Sequence, residues 1–199
     1  MPAKDGFTGF FRTEFDEHLE VLQKFGSDLF LSLDRVVAIW AEALRNGGKL
    51  LFFGNGGSAA DAQHLAAELT VRYRRDRTPI AALALAADAA GLTAAGNDLG
   101  FERVFARQIE ALGKPGDVAV GITTSGRSPN VLEGLRSARR MGLVAMAISG
   151  GDGGALPGLA EPLILAPSQT TARIQEMHIL LGHMLCGAVE IELGLVNSP

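Results

Sequence analysis

The sequence predicts an α/β fold: a doubly wound, five-stranded parallel sheet flanked by helices, with helices at the N-terminus and a long helix at the C-terminus. Three observations carry this prediction. Five short β-type runs alternate with stretches of helical periodicity, the pattern of right-handed strand–helix–strand crossovers. Those runs are almost continuously apolar, as strands covered on both faces are. The composition is 47% hydrophobic, with mean hydropathy +0.20, which fits a covered sheet together with a large subunit interface.

Roughly the first 46 residues read as two helices, with apolar positions at Leu19, Leu22 and Phe25, then Leu29, Leu31, Leu33, Val36 and Val37. The first strand is KLLFFG (49–54), followed by the helical stretch SAADAQHLAAELTVRY. An Ala-rich second strand, IAALAL (80–85), leads to a turn at Asn97-Asp98 and then to a helix in FERVFARQIEALG. The third strand is DVAVGITT (117–124). The next helix is SPNVLEGLRSARRMG, with Pro129 near its start and Gly142 as its stop. VAMAISG (144–150) and EPLILAP (161–167) complete the sheet. Residues 171–194 form a long helix that is apolar on more than one side, and such a helix needs a partner to cover it. At 199 residues the chain reads as one domain, 1–199, whose helical segment 1–46 serves oligomerisation.

Bulk properties exclude several classes. No window reaches the ~18 apolar residues that a membrane-spanning helix needs. The start, MPAKDGFTGFFRTEFDEH, puts acids where an export signal needs its apolar stretch. Net charge −4 and a pI of about 5.6 leave no general basic surface for nucleic acid. The one dense basic patch, Arg72, Arg74, Arg75 and Arg77, reads as a solvated helix end with cations near the C-terminal dipole. The single cysteine, Cys186, lies in an apolar run and reads as a core residue, which suits a reducing, cytoplasmic setting.

Two turns carry phosphate-binding character. GNGGSAADAQH follows the first strand and opens a helix. Its glycines, Gly56 and Gly57, allow close backbone approach, the helix start offers free N–H donors, and Ser58 adds a hydroxyl at the N-cap. The plainer reading is an ordinary capped turn. A second, hydroxyl-rich turn follows the third strand, with Thr123, Thr124, Ser125 and Ser128 leading into Pro129 and Asn130. Ligands of doubly wound sheets bind outside such strand ends. Two neutral cradles without a Walker lysine suit a small sugar phosphate better than a triphosphate.

Acid–base candidates lie beside them. His64 and Glu68, four residues apart, share a helix face, with Arg72 one turn further on. The last helix carries Gln175, Glu176, His178 and His183. Gln175 and His183 fall within about 80–90° of each other around it at ~100° per residue, so both can border one cavity. A histidine within ILLGHMLCGAVEI is costly unless paired. His64, Glu68, Gln175 and His183 form a plausible borderline-metal set, although Gln is an unusual ligand and the spacing matches no standard zinc motif; chemistry alone leaves metal binding open.

The stretches GNGGSAADAQHLAAEL, GNDLGFERVFARQIEALG, TTSGRSPNVL and ARIQEMHILLGHMLCG resemble the sugar isomerase (SIS) family, most closely its phosphoheptose isomerases, over essentially the whole chain. The resemblance implies a flavodoxin-like sheet and a cytoplasmic homotetramer with active sites at subunit interfaces. It also implies one zinc per subunit, held by His64, Glu68, Gln175 and His183. The implied reaction converts D-sedoheptulose 7-phosphate to D-glycero-D-manno-heptose 7-phosphate, for lipopolysaccharide or other surface glycans. Glu68 then removes a carbon-bound proton to give an enediol(ate), and His183 shuttles a proton. Implied substrate contacts are Asn55, Gly56, Gly57, Ser58, Arg72, Asn97, Asp98, Thr123, Thr124, Ser125, Ser128 and Gln175. Thr123 stands where many relatives have serine, which keeps the hydroxyl. The rival is a non-catalytic SIS protein that binds a replication-initiator protein; retention of both Glu68 and His183 favours the enzyme.

Overall fold

In the computed structural model, which describes residues 6–197, two helices, α1 (Thr8–Gln23) and α2 (Asp28–Arg45), precede the sheet. Residues 1–5, the start of the expected helical segment, and 198–199 lie outside the described residues. The sheet and its crossovers follow as β1 (Leu50–Gly54), α3 (Gly57–Thr70), β2 (Ala82–Ala84), α4 (Ala89–Leu99), a 3-10 turn (Phe101–Arg103), α5 (Val104–Leu112), β3 (Val118–Ile122), α6 (Pro129–Arg140), β4 (Val144–Gly150), β5 (Leu163–Ala166) and α7 (Thr171–Glu192). All neighbouring strands are parallel, in the order β2-β1-β3-β4-β5. β1 and β3 therefore flank the point where the order reverses.

Alternation along the strands builds two cores, as a period of two requires. Leu50 and Phe52 of β1, with Val118, Val120 and Ile122 of β3, face α2, α3 and α7 and pack with Trp40, Leu65, Leu69 and Leu185. Leu51 and Phe53 face the other way, toward Phe105, Ile109, Val131 and Leu135 of α5 and α6. The covered sheet expected from the apolar strands is what forms. Cys186 is fully buried in the first core.

Helices α3 and α7 lie side by side and run in the same direction. Gln175 packs on Gly57 near one end, and Leu65 on Gly182 further along. A Cβ at position 182 would stand 2.6 Å from a Leu65 methyl, so only glycine admits this approach without displacing a neighbour. That contact sets the spacing of the two helices at His64 and His183.

Three local expectations are corrected. Asn97-Asp98 is not a free turn but the last turn of α4, a helix unforeseen in the sequence. Its Ala-rich stretch has high helix propensity, and the helix stops at Gly100, where φ is +90. The helix after β1 ends at Thr70 rather than Tyr73, so Arg72 lies beyond it. Arg77 is not solvated: its side chain is 1% exposed and pairs with Glu190, itself 2% exposed. Its guanidinium donates to the carbonyls of Glu68 and Val71, orphaned at the end of α3. Arg72, Arg74 and Arg75 are exposed, as expected.

α1 buries only Val21. It is tied to α7 by Arg173, which donates to Glu14 and Glu176, and by His18, whose Nδ1 lies 2.7 Å from Glu176. Phe7, Phe10, Phe11 and Phe15 of this segment remain exposed, Phe15 by 72%. Among the described residues, no helix is long and apolar enough to cross a membrane.

Candidate functional site

β1 leads through Asn55 and Gly56 into α3, and β3 leads through the turn 123–128 into α6, at the switch point, the place where ligands bind in open α/β sheets. After β1 the chain turns through Asn55 and Gly56, whose φ of +55 suits glycine. Gly56, not Ser58, occupies the N-cap; Ser58 sits buried in the first turn of α3. At the start of α6, Ser128 holds the N-cap position with Pro129 next to it. Neither helix has a side-chain cap bond, so the plain capped-turn reading fails at both. Ser58 N and Ala59 N already donate to the carbonyls of Asn55 and Gly56. At α6, Pro129 has no N–H and Val131 N is taken by Asn130 Oδ1. Backbone donation to an anion therefore falls to Gly57 and Asn130 at the two helix starts.

The two turns are physically joined. The side-chain amides of Asn55 and Asn130 hydrogen bond each other reciprocally, and Asn130 Oδ1 also accepts from Val131 N. Thr123 is buried, with its hydroxyl 3.5 Å from that of Ser128. Thr124 is half-buried, and the exposed Ser125 accepts from Arg127 N. Arg127 turns away to pair with Asp152 at 3.0 Å. Asn130 was not foreseen as a site residue; the Asn55 amide across the switch point reveals its part.

About two helical turns beyond Gly57, roughly 10 Å of rise, a second cluster forms. His64 Nε2 lies 2.8 Å from His183 Nε2 and 3.1 Å from Glu68 Oε1. One ligand atom from each of His64, Glu68 and His183 falls within 4.8 Å of the others. Glu68 Oε2 is buried with no hydrogen-bond partner. Burial pushes the His183 pKa down, helped by His64 and Arg74 and opposed by Glu68, which favours the neutral imidazole that a metal requires. Two imidazole nitrogens, a carboxylate oxygen and an orphaned buried acceptor fit a zinc ion with a position left open. Burial also raises Asp61, on the same helix, to about 6, against the opposing pull of His64.

Other expected residues lie apart from this cluster. Gln175 rests its amide on Gly57, eight residues and about 12 Å of helix rise before His183. Asn97 donates to Asp98 at 2.7 Å, and Asp98 lines a groove between α4 and α5 with Asp88 and Arg107. No residue of either turn lines that groove. Tyr73, which no sequence signal marked, stacks on His183.

The sequence profile of the SIS domain matches residues 15–150, from within α1 to the end of β4. The chain belongs to the SIS domain family. Within the family it is similar to a phosphoheptose isomerase from Paramagnetospirillum magneticum, 58% identical over 184 residues that span 92% of this chain and 96% of the relative. Another, from Helicobacter hepaticus, is 50% identical over 182 residues, 92% of each chain. The solved phosphoheptose isomerase from Neisseria gonorrhoeae superposes with a TM-score of 0.85 at 40% identity, covering 93% of this chain and 99% of that one. The SIS domain match contains both turns, His64 and Glu68, while α7 with His183 lies beyond it.

Proposed function

We propose that this SIS protein is an aldose–ketose isomerase that converts D-sedoheptulose 7-phosphate to D-glycero-D-manno-heptose 7-phosphate. The convergence of His64, Glu68 and His183 carries the reading. It lies two helical turns from a pair of uncapped helix starts joined through Asn55 and Asn130. An open-chain heptose with phosphate at one end and its reacting carbons at the other suits that separation. Relatives at 58% and 50% identity, both phosphoheptose isomerases, favour catalysis over the initiator-binding alternative.

In this scheme the hydroxyls of Ser58, Thr123, Thr124, Ser125 and Ser128 and the backbone of Gly56 and Gly57 hold the phosphate. Asn55 and Gln175 orient the sugar hydroxyls. Glu68 takes a proton from carbon 1 of the ketose, and the electron pair forms the carbon 1–carbon 2 double bond of an enediol(ate). His183 carries a proton from the carbon 1 hydroxyl to the carbon 2 oxygen. Protonation of carbon 2 by Glu68, after its carboxyl proton has exchanged with solvent, completes the aldose. Such transfers need the groups within hydrogen-bond reach of the substrate. Zinc, held by His64, Glu68 and His183, would polarise substrate oxygens as a Lewis acid. Gln175 is the fourth ligand that the resemblance implies; because its amide rests on Gly57, we propose it first as a substrate contact there.

Arg72, Asn97 and Asp98 are assigned to a site completed by a neighbouring subunit, in a cytoplasmic homotetramer that supplies heptose for lipopolysaccharide or surface glycans. The exposed aromatic row of the first helical segment supports oligomerisation, since apolar patches of that kind mark interfaces.

The test is turnover of sedoheptulose 7-phosphate by purified, zinc-supplied protein and by its Glu68→Gln and His183→Gln variants. We expect wild-type turnover and losses of about 100-fold or more in each variant. Wild-type silence, together with tight binding to a replication initiator, would favour the alternative.

A further inference from the structure

The geometry points to Tyr73 as a positioning residue for His183, its ring backing the imidazole and fixing the direction in which Nε2 points. This inference rests on the proposed metal and proton-transfer role of His183.

The segment after α3 does not run free over the surface. Arg77 Nε donates to Glu190 Oε1 at 2.8 Å, and both side chains are almost fully buried. The same carboxylate oxygen accepts from Tyr73 N at 3.3 Å. Arg77 Nη2 donates to Glu68 O at 2.8 Å, while Nη1 reaches the carbonyls of Val71 and Thr78. One buried charge pair therefore folds residues 71–78 back onto α7. The result is a near-parallel stack of Tyr73 on His183, with ring centroids 5.4 Å apart and planes inclined by 24°.

The opposing helix is shaped for this ring. Position 187, one turn beyond His183, is glycine, and a Cβ there would stand 3.1 Å from Tyr73 Cε1. Arg74 places its guanidinium carbon 4.9 Å from the Tyr73 ring centroid, holding the aromatic ring from its own segment. His183 is only half-buried, and the outer torsion of a histidine is broad. Without a neighbouring plane the imidazole would sample orientations that point Nε2 away from His64 and Glu68. Groups that orient a ligating histidine are worth about 10- to 100-fold in metal affinity.

The test uses Tyr73→Phe, Tyr73→Leu and Gly187→Ala, the last pressing a methyl group against the ring of an unchanged Tyr73. Metal-free protein is titrated with zinc against a chromophoric chelator, and kcat and KM are measured on sedoheptulose 7-phosphate. Tyr73→Phe is expected to match wild type within about twofold in both readouts. Tyr73→Leu is expected to lose about 10-fold or more in zinc affinity, with kcat falling and KM nearly unchanged, and Gly187→Ala to fall between it and wild type. Wild-type zinc affinity and kcat in Tyr73→Leu would overturn the inference. So would a Tyr73→Phe loss equal to that of Tyr73→Leu, which would assign the role to the hydroxyl. If the wild type itself fails to turn over, the isomerase reading falls, while the zinc titration still decides whether Tyr73 positions His183.

Discussion

Asn55 and Asn130 exchange two side-chain hydrogen bonds of 2.8 Å across the switch point, and Asn130 Oδ1 accepts a third from Val131 N. The turn after β1 is thereby held at a set distance from the first turn of α6. Neither helix start uses a side chain as its cap, so the amide pair, rather than capping, organises the proposed phosphate cradle.

Replacing Asn130 with Ala leaves the Asn55 amide and the Val131 N–H without partners. Stability should fall by about 1–3 kcal/mol, and KM for the sugar phosphate should rise more than kcat falls. Urea denaturation and steady-state kinetics read the two effects. An unchanged KM would mean that the cradle does not depend on the pair.

Gly182→Ala tests the helix contact that spaces His64 from His183. Overpacking against Leu65 costs about 1–3 kcal/mol, offset in part by the better helix propensity of Ala, about 1 kcal/mol. Net destabilisation and weaker zinc binding are expected in thermal melting and zinc titration. Unaltered zinc affinity would show that close α3–α7 packing does not set the ligand geometry.

Arg77→Met should destabilise by about 3–5 kcal/mol, because it strands the buried Glu190 charge. Adding Glu190→Met should restore part of that loss by removing the stranded charge, while the carbonyls of Glu68, Val71 and Thr78 and Tyr73 N stay without the partners they had. Equal stability of the single and double variants in chemical denaturation would rule this out.

His178 provides a pH prediction. It is 1% exposed, and burial drives its pKa down to about 4 against the opposing effect of the Ser149 backbone. The folded state therefore keeps it neutral, while the unfolded chain protonates it near its ordinary value of about 6.5. Its contribution to stability is present above that value and is lost as pH falls through about 4, a loss on the order of 3 kcal/mol. Asp61 has the opposite sign: raised to about 6 by burial, its contribution is full at low pH and is lost as pH rises through that value. His178→Leu should flatten the decline in denaturation free energy between pH 6.5 and 4. A variant with the wild-type slope would refute the assignment.

Much of the fold was legible in the chain because its signals are local. The runs beginning at Lys49, Asp117 and Val144 are apolar, β-type and bounded by turns, and each forms a strand. Asn97-Asp98 misled because turn-forming residues also end helices, and the Ala-rich stretch before them decides the matter only once it packs. Arg77 misled for a different reason: four arginines within six residues read as surface, and the carboxylate that buries one of them lies more than a hundred positions away. Sequence separation likewise hid the Asn55–Asn130 pair, 75 positions apart, and the stack of Tyr73 on His183. His64 and Glu68 were visible as a helix-face pair, but only the packing of α3 on α7 brings His183 to them.

The central claim is that Glu68 removes a carbon-bound proton at the site it shares with His64 and His183. Isomerisation of sedoheptulose 7-phosphate in deuterated water, followed by NMR with wild type and Glu68→Gln, tests it most directly. The account predicts an aldose product carrying deuterium at carbon 2 with the wild type, and neither product nor exchange with a folded Glu68→Gln. Deuterium exchange at the wild-type rate by Glu68→Gln, or a wild type that turns over nothing with zinc supplied, would contradict it.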